Sequence, residues 1–250
     1  MSTHVETAIS DGVLSIRMNR PEKKNAIDRA MYGALSAAFQ QAEGDANVRA
    51  ILVMGVPGAF SAGNDIGDFL AFAAGGERPS EVEGFLLALV SSSKPLVAAV
   101  DGLAIGIGTT MLMHCDMVLA SAASVFRTPF LDLGLVPEAG SSLIAPRLMG
   151  HQRAFALLAA GETFDAEAAK AANLVTRIVD AGGLEGEALS VARSLAAKPP
   201  EALRIARDLI RGDRAEIVER IRLEIDHFSD RLKSKEARNA FAAFMARSKK

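Results

Sequence analysis

Glu138 follows Leu135-Val136-Pro137 in a stretch, 126–142, whose only other charged residues are Arg127 and Asp132. A carboxylate in such surroundings is either a solvated surface charge or a base, since loops carry both. Two glycine-bearing segments upstream favour the base. The first, Ala59-Phe60-Ser61-Ala62-Gly63-Asn64-Asp65-Ile66, comes after an apolar run and a Pro57-Gly58 turn. Gly63 permits close backbone approach, and Asp65 suits the cap of a following helix, so the Asn64 N–H would lie near a positive helix end. That arrangement is either an anion pocket or a plain strand-to-helix turn with a capping Asp. The second, Asp101-Gly102-Leu103-Ala104-Ile105-Gly106-Ile107-Gly108, repeats the device, with glycines freeing the backbone on both sides of Ile107. Two such turns after parallel strands would supply paired N–H donors to one oxyanion.

Other chemistries find less support. Gly106-x-Gly108 is followed by Met111 where a dinucleotide fingerprint needs a third glycine, and no Gly-Lys-Ser/Thr phosphate loop is present. Ser61 sits in Ala59-x-Ser61-x-Gly63, which lacks the first glycine of a nucleophile elbow, so a hydrolase triad is unsupported. The 4 histidines, His4, His114, His151 and His227, show no paired ligand spacing. We expect no metal and no redox or other cofactor.

The elements that must position these residues follow from hydrophobic patterning. Short apolar runs at 13–18, 50–54, 96–100, 117–119 and 125–128 read as strands, and most have helical patterns between them. Those helical patterns cover 28–42, 81–90 and 108–114. Strands alternating with helices predict an α/β core. From about Ala166 the pattern becomes helix after helix, at 166–171, 184–196, 200–210, 215–228 and 235–246, with no convincing strand beyond about Val179. Leu203, Ala206 and Ile210, then Ile217, Ile221 and Ile225, recur at helical spacing and must be buried on the core or on another subunit.

At 250 residues the chain admits one domain with an appendage as readily as two small ones. We divide it into a core, 1–195, and a helical region, 196–250. A net charge of -2, from 28 basic and 30 acidic residues, provides no field for nucleic acid or an anionic membrane surface, and neither partner is expected. The single cysteine, Cys115, fits a reducing compartment. The first dozen residues lack a signal-peptide layout, and no apolar run has the length of a membrane span, so a cytoplasmic location is expected.

The ordered segments Asn19-Arg20-Pro21-Glu22-Lys23-Lys24-Asn25-Ala26-Ile27, Phe60 to Ile66, Lys94-Pro95 through Gly108, and Gly134-Leu135-Val136-Pro137-Glu138 resemble the enoyl-CoA hydratase/isomerase (crotonase) superfamily over nearly the whole chain. The resemblance implies a spiral of ββα units with a C-terminal helical trimerisation region, assembled as a homotrimer or dimer of trimers. It implies an acyl-CoA substrate whose thioester oxygen meets the N–H groups of Asn64 and Ile107. It further implies that Lys24 meets a phosphate of the CoA nucleotide, that the Ala26 backbone meets adenine, and that Ala62, Asp65 and Ile66 lie along the same ligand.

Departures from the superfamily pattern narrow the reaction. The hydratases use two glutamates to handle water, and this chain carries Thr110 and Phe130 at those positions. The acid stands instead at Glu138, and Thr128-Pro129-Phe130, Ser141-Ser142, Pro146, Met149-Gly150 and Lys198-Pro199-Pro200 resemble the peroxisomal-type delta-3,delta-2-enoyl-CoA isomerases. Moving a double bond into conjugation needs a proton taken from C2 and returned at C4, which one carboxylate reaching both carbons can perform. Its apolar neighbours Phe130, Leu135, Val136 and Pro137 should raise the proton affinity of Glu138. Another crotonase-type reaction (hydratase, lyase or thioester hydrolase) and a non-catalytic acyl-CoA binder remain as alternatives. Phe69, Phe72 and Phe85 are candidates to line the acyl pocket, beside a Gly75-Gly76 loop.

Overall fold

The computed structural model describes residues 2–73 and 80–248. A hairpin of β1 (Val5–Ser10) and β2 (Val13–Met18) precedes helix α1 (Arg29–Gly44). Three ββα units follow: β3 (Ala50–Met54) and β4 (Ala59–Ser61) lead into α2 (Ile66–Ala73) and α3 (Ser80–Ser91); β5 (Leu96–Val100) and β6 (Leu103–Ile105) into the short α4 (Ile107–Thr110); β7 (Met117–Ser121) and β8 (Val125–Arg127) into α5 (Ser141–Met149) and α6 (His151–Leu158). Then come β9 (Phe164–Asp165), α7 (Ala166–Ala171), β10 (Arg177–Val179), α8 (Leu184–Ala196), α9 (Pro200–Arg211), α10 (Arg214–Leu232) and α11 (Lys235–Ser248). In each unit the first strand joins a six-stranded sheet, ordered β1-β2-β3-β5-β7-β10, and the second a four-stranded sheet, ordered β4-β6-β8-β9. Successive units therefore wind as a spiral between two sheets, which is the expected crotonase architecture.

The long runs 50–54 and 96–100 form central parallel strands buried at every position, because both faces of their sheet are covered. Ile51, Val53, Ala98 and Val100 face the main core, whereas Ala50, Leu52, Met54, Val97 and Ala99 face the Leu184, Ala188, Ala192 and Ala196 stripe of α8. The strands expected at 13–18, 50–54 and 96–100 match β2, β3 and β5 residue for residue. β4 and β6 escape the periodicity argument, since each has three residues inside a glycine-bearing stretch.

At the C-terminal end, α10 buries Ile221, Ile225 and Leu232, and α11 buries Ala237 and Phe241, all in the main core. Helix α9 is different. Its face toward the core is fixed by buried Arg207, whose Nε–H donates to Asp116 Oδ2 at 2.7 Å and whose Nη1–H donates to the Ser92 carbonyl at 2.5 Å. Leu203 is half-buried, but Leu209 and Ile210 point outward, at 80% and 86% exposure. Phe85 packs on Tyr32 and Phe39 inside the core, while Gly75-Gly76 and the Phe72 side chain lie outside the described residues. No helix among the described residues is long and apolar enough to cross a membrane.

Candidate active site

β4 and β6 are parallel neighbours, so their glycine-bearing exits lie side by side. Gly63 has φ 92 and Gly106 φ 54, conformations that suit glycine. The two turns are in close contact: a Cβ on Gly63 would stand 3.0 Å from the Ile105 carbonyl, and one on Gly108 2.9 Å from the Ser61 carbonyl. Gly106 turns its carbonyl to the Thr109 and Thr110 N–H groups, at 2.9 and 3.0 Å. Among the described residues, the N–H groups of Asn64 and Ile107 find no acceptor within the chain. Unpaired backbone donors at a buried turn call for an acceptor from elsewhere.

The Asn64 turn is also tied to the Lys24 turn. Ala62 N–H donates to the Lys24 carbonyl at 2.9 Å, Ile27 N–H to Gly63 at 2.7 Å, and Asp65 N–H to Ile27 at 3.0 Å. Asp65 accepts from Gly67 N–H at 2.8 Å, capping α2, and its second oxygen accepts from Arg20 Nη1 at 2.8 Å. That same guanidinium nitrogen donates to the Ala26 carbonyl at 2.9 Å. Lys24 is exposed, with φ 48, and Ile66 is half-buried at the start of α2. Residues 24–27 and 62–65 are thus bonded into one unit.

Glu138 is buried at 6% exposure, and Thr110 Oγ1–H donates to its Oε1 at 2.5 Å. Burial pushes its carboxyl up to about 8; the Thr110 bond pulls the other way and the charge of Glu224 adds to the rise. A carboxyl poised there is matched to proton transfer near neutrality. Turnover of free enzyme and substrate, kcat/KM, should therefore rise with pH through about 8 as Glu138 ionises, and an initial-rate profile from pH 6 to 10 checks this. A profile flat between pH 6 and 9 would contradict the assignment.

Glu138 shares a cavity with Asn64, Asp65, Tyr32, Phe69 and the α10 residues Ile225, Phe228 and Leu232. Ile107, Lys24, Ala26, Ala62 and Ile66 lie outside its walls. Phe130 is buried behind the wall, its ring edge-on to Phe228. Three contributors escape sequence reasoning. Tyr32 O–H donates to Asn64 Oδ1 at 2.5 Å, and burial raises its pKa well above the usual phenol value, so it stays protonated. His114, pushed down to about 4 by burial, is neutral and donates Nε2–H to the Ala139 carbonyl at 2.7 Å. Glu224 accepts from the Gly140 and Ser142 N–H groups at 2.5 and 3.0 Å. All three depend on packing between elements distant in sequence, and no local signal announces them.

Comparison with known proteins bears on the family and the fold. The pattern of the enoyl-CoA hydratase/isomerase family matches residues 8–250. Human enoyl-CoA delta isomerase 2 is 34% identical over 259 residues, covering 100% of this chain and 66% of its own length. The chain thus spans about two thirds of that relative. The 1,2-epoxyphenylacetyl-CoA isomerase of Escherichia coli K12 is 30% identical over 255 residues, covering 99% of this chain and 97% of its own. The crystal structure of an enoyl-CoA hydratase/isomerase from Pseudoalteromonas atlantica superposes with a TM-score of 0.92 at 38% identity, covering 98% of each chain. With the two-sheet spiral, the paired glycine turns and the buried acid in place, the chain belongs to the enoyl-CoA hydratase/isomerase family.

Proposed function

We propose that the protein is a delta-3,delta-2-enoyl-CoA isomerase, with Glu138 as the one side chain that moves the proton. The observation that carries this reading is the bond from Thr110 to Glu138: the neighbour of the buried acid is a hydroxyl, not a second carboxylate. Glu138 takes a proton from C2 of a 3-enoyl thioester and returns it at C4. The resulting dienolate oxygen is held by the N–H groups of Asn64 and Ile107. The proton taken is the proton returned, so no water enters the balance, and buried Phe130 offers no group to hold one. The CoA nucleotide rests on the Lys24 turn, with the ammonium of Lys24 on a phosphate and the backbone of Ala26 toward adenine, and Ala62 lies along the same ligand. Asp65 and Ile66 flank the same ligand.

The test is incubation with 3-enoyl-CoAs of several chain lengths, following appearance of the conjugated 2-enoyl thioester. We expect conversion, with hydration of crotonyl-CoA slower by about 10²-fold or more, because the positions where the hydratases carry their two water-activating glutamates hold Thr110 and Phe130. Comparable hydration and isomerisation rates would refute the proposal. We propose further that the chain forms a homotrimer or a dimer of trimers, since Ile205, Leu209 and Ile210 on α9 are 46%, 80% and 86% exposed and a solvated apolar stripe of this kind suits a subunit interface. Light scattering at micromolar concentration should report at least three chains; a monomer would overturn the assembly.

A further inference from the structure

We propose that Glu224 is a positioning residue for the proton transfers: from α10 it grips the N–H groups of Gly140 and Ser142 and so fixes the turn that carries Glu138. The inference rests on the isomerase reading and deepens it. Two successive residues of that turn, Ala139 with φ 61 and Gly140 with φ 72, occupy the left-handed region, which a side-chain-bearing residue such as Ala139 resists. That conformation carries a steric cost at Ala139, which contacts around the turn must offset. Gly140 stands at the N-cap of α5 and supplies no side-chain cap. Glu224 supplies it from 82 residues away, since its Oε1 accepts from the Ser142 N–H at 3.0 Å and from the Ser142 hydroxyl at 2.5 Å, and its Oε2 accepts from Gly140 at 2.5 Å. A Cβ on Gly140 would meet Ile217 of α10 at 3.2 Å, so helix and turn are packed as tightly as they are bonded.

Glu224 does not line the cavity, but its neighbours on the same helix, Ile225, Phe228 and Leu232, do. One helix thus both lines the cavity and bonds the turn that carries Glu138. Burial raises the Glu224 pKa, while the bonds it accepts from Ser142 and from the Gly140 N–H favour its ionised form. Its charge, partly offset by Arg220, disfavours a second charge on Glu138. The other titratable groups around Glu138 are Tyr32 on α1, which stays protonated, and His114, which stays neutral; Arg29, Asp65, Asp68 and Glu83 line the same cavity.

The test compares the full-length protein with Glu224→Gln and Ser142→Ala in steady-state kinetics across pH, thermal melting, and a carbon-13 NMR titration of labelled glutamate carboxyls in which Glu138→Gln assigns the Glu138 signal. Glu224→Gln removes the charge and turns an amide donor toward donors. We expect kcat to fall about 10- to 100-fold, as a displaced base would, with KM changed less than about threefold. The acid limb of the kcat profile and the Glu138 titration midpoint should both move to lower pH. A residue that merely capped α5 would lower the melting temperature and leave both midpoints in place, and that outcome overturns the proposal. If Glu224→Gln does not fold, Ser142→Ala decides: a several-fold loss of kcat at constant KM supports the grip, and unchanged kcat sinks it. If the wild type isomerises no 3-enoyl-CoA, the proposed reaction fails, while the NMR midpoint in Glu224→Gln still decides the positioning role.

Discussion

Glu138→Gln should lower isomerisation by about two to four orders of magnitude, the usual worth of a well-placed general base. Glutamine keeps the size of the side chain and can still accept the Thr110 hydroxyl bond, so acyl-CoA affinity should hold within a few fold. The loss then falls on kcat. Asp132, the nearest carboxylate in sequence, is no substitute: it is 55% exposed at its side chain and ion-paired with Arg127 at 2.7 Å. The same variant should be more stable than the wild type in alkali. The folded-state pKa of Glu138 lies above its ordinary value of 4.5, at about 8, so the protonated acid favours the fold. That contribution is complete below pH 4.5 and is lost as pH rises through about 8. Melting curves at pH 6 and pH 9 should show the wild type losing a few kcal/mol that Glu138→Gln does not lose. Near-normal turnover in the variant, or identical pH dependence of the two melts, would remove Glu138 from its role.

Gly106→Ala should be nearly as damaging to rate while sparing the fold. Space is not the obstacle, because the nearest atom to the added Cβ is Gly63 Cα at 3.9 Å. Backbone conformation is: Gly106 has φ 54 and ψ -119, outside the regions open to alanine. The peptide that carries the Ile107 N–H must rotate to relieve the strain, withdrawing one donor from the developing oxyanion. Loss of one such donor costs about 10²- to 10³-fold in kcat. Gly12→Ala gives a control, since Gly12 has φ 77 in the β1–β2 hairpin, remote from the site, and its strained variant should turn over normally. If Gly106→Ala keeps wild-type kcat, the Ile107 donor has no part in the reaction.

Residue chemistry in this chain was easier to read than residue proximity. Strands β2, β3 and β5 and helices α7 and α8 follow from apolar patterning, because each is long or regular enough to impose its period. Helix α5 does not, since it contains Pro146 and borrows its cap from Glu224 on α10. The stripe on α9 was legible but its direction was not, because a buried Arg207, rather than leucine or isoleucine, holds that helix to the core. Glu138 and Asn64 stood out as unusual residues in turns, and the structure brings both to one cavity. Tyr32, His114 and Glu224 reach the site only through packing, and a single sequence does not encode packing in any local pattern.

The side-by-side exits of β4 and β6 divide the labour of the site. The proposed donors on that wall are main-chain groups, so the side chains at positions 64 and 107 can change without altering what the wall offers an oxygen atom. The opposite side is made of side chains: Glu138 on the cavity, with Thr110, Phe130 and Glu224 behind it. An enzyme built this way keeps its means of making an enolate separate from its choice of what to do with one. On the proposed reaction, exchange of a few residues on the side-chain wall would redirect the intermediate toward protonation, hydration or elimination, with the main-chain wall left untouched.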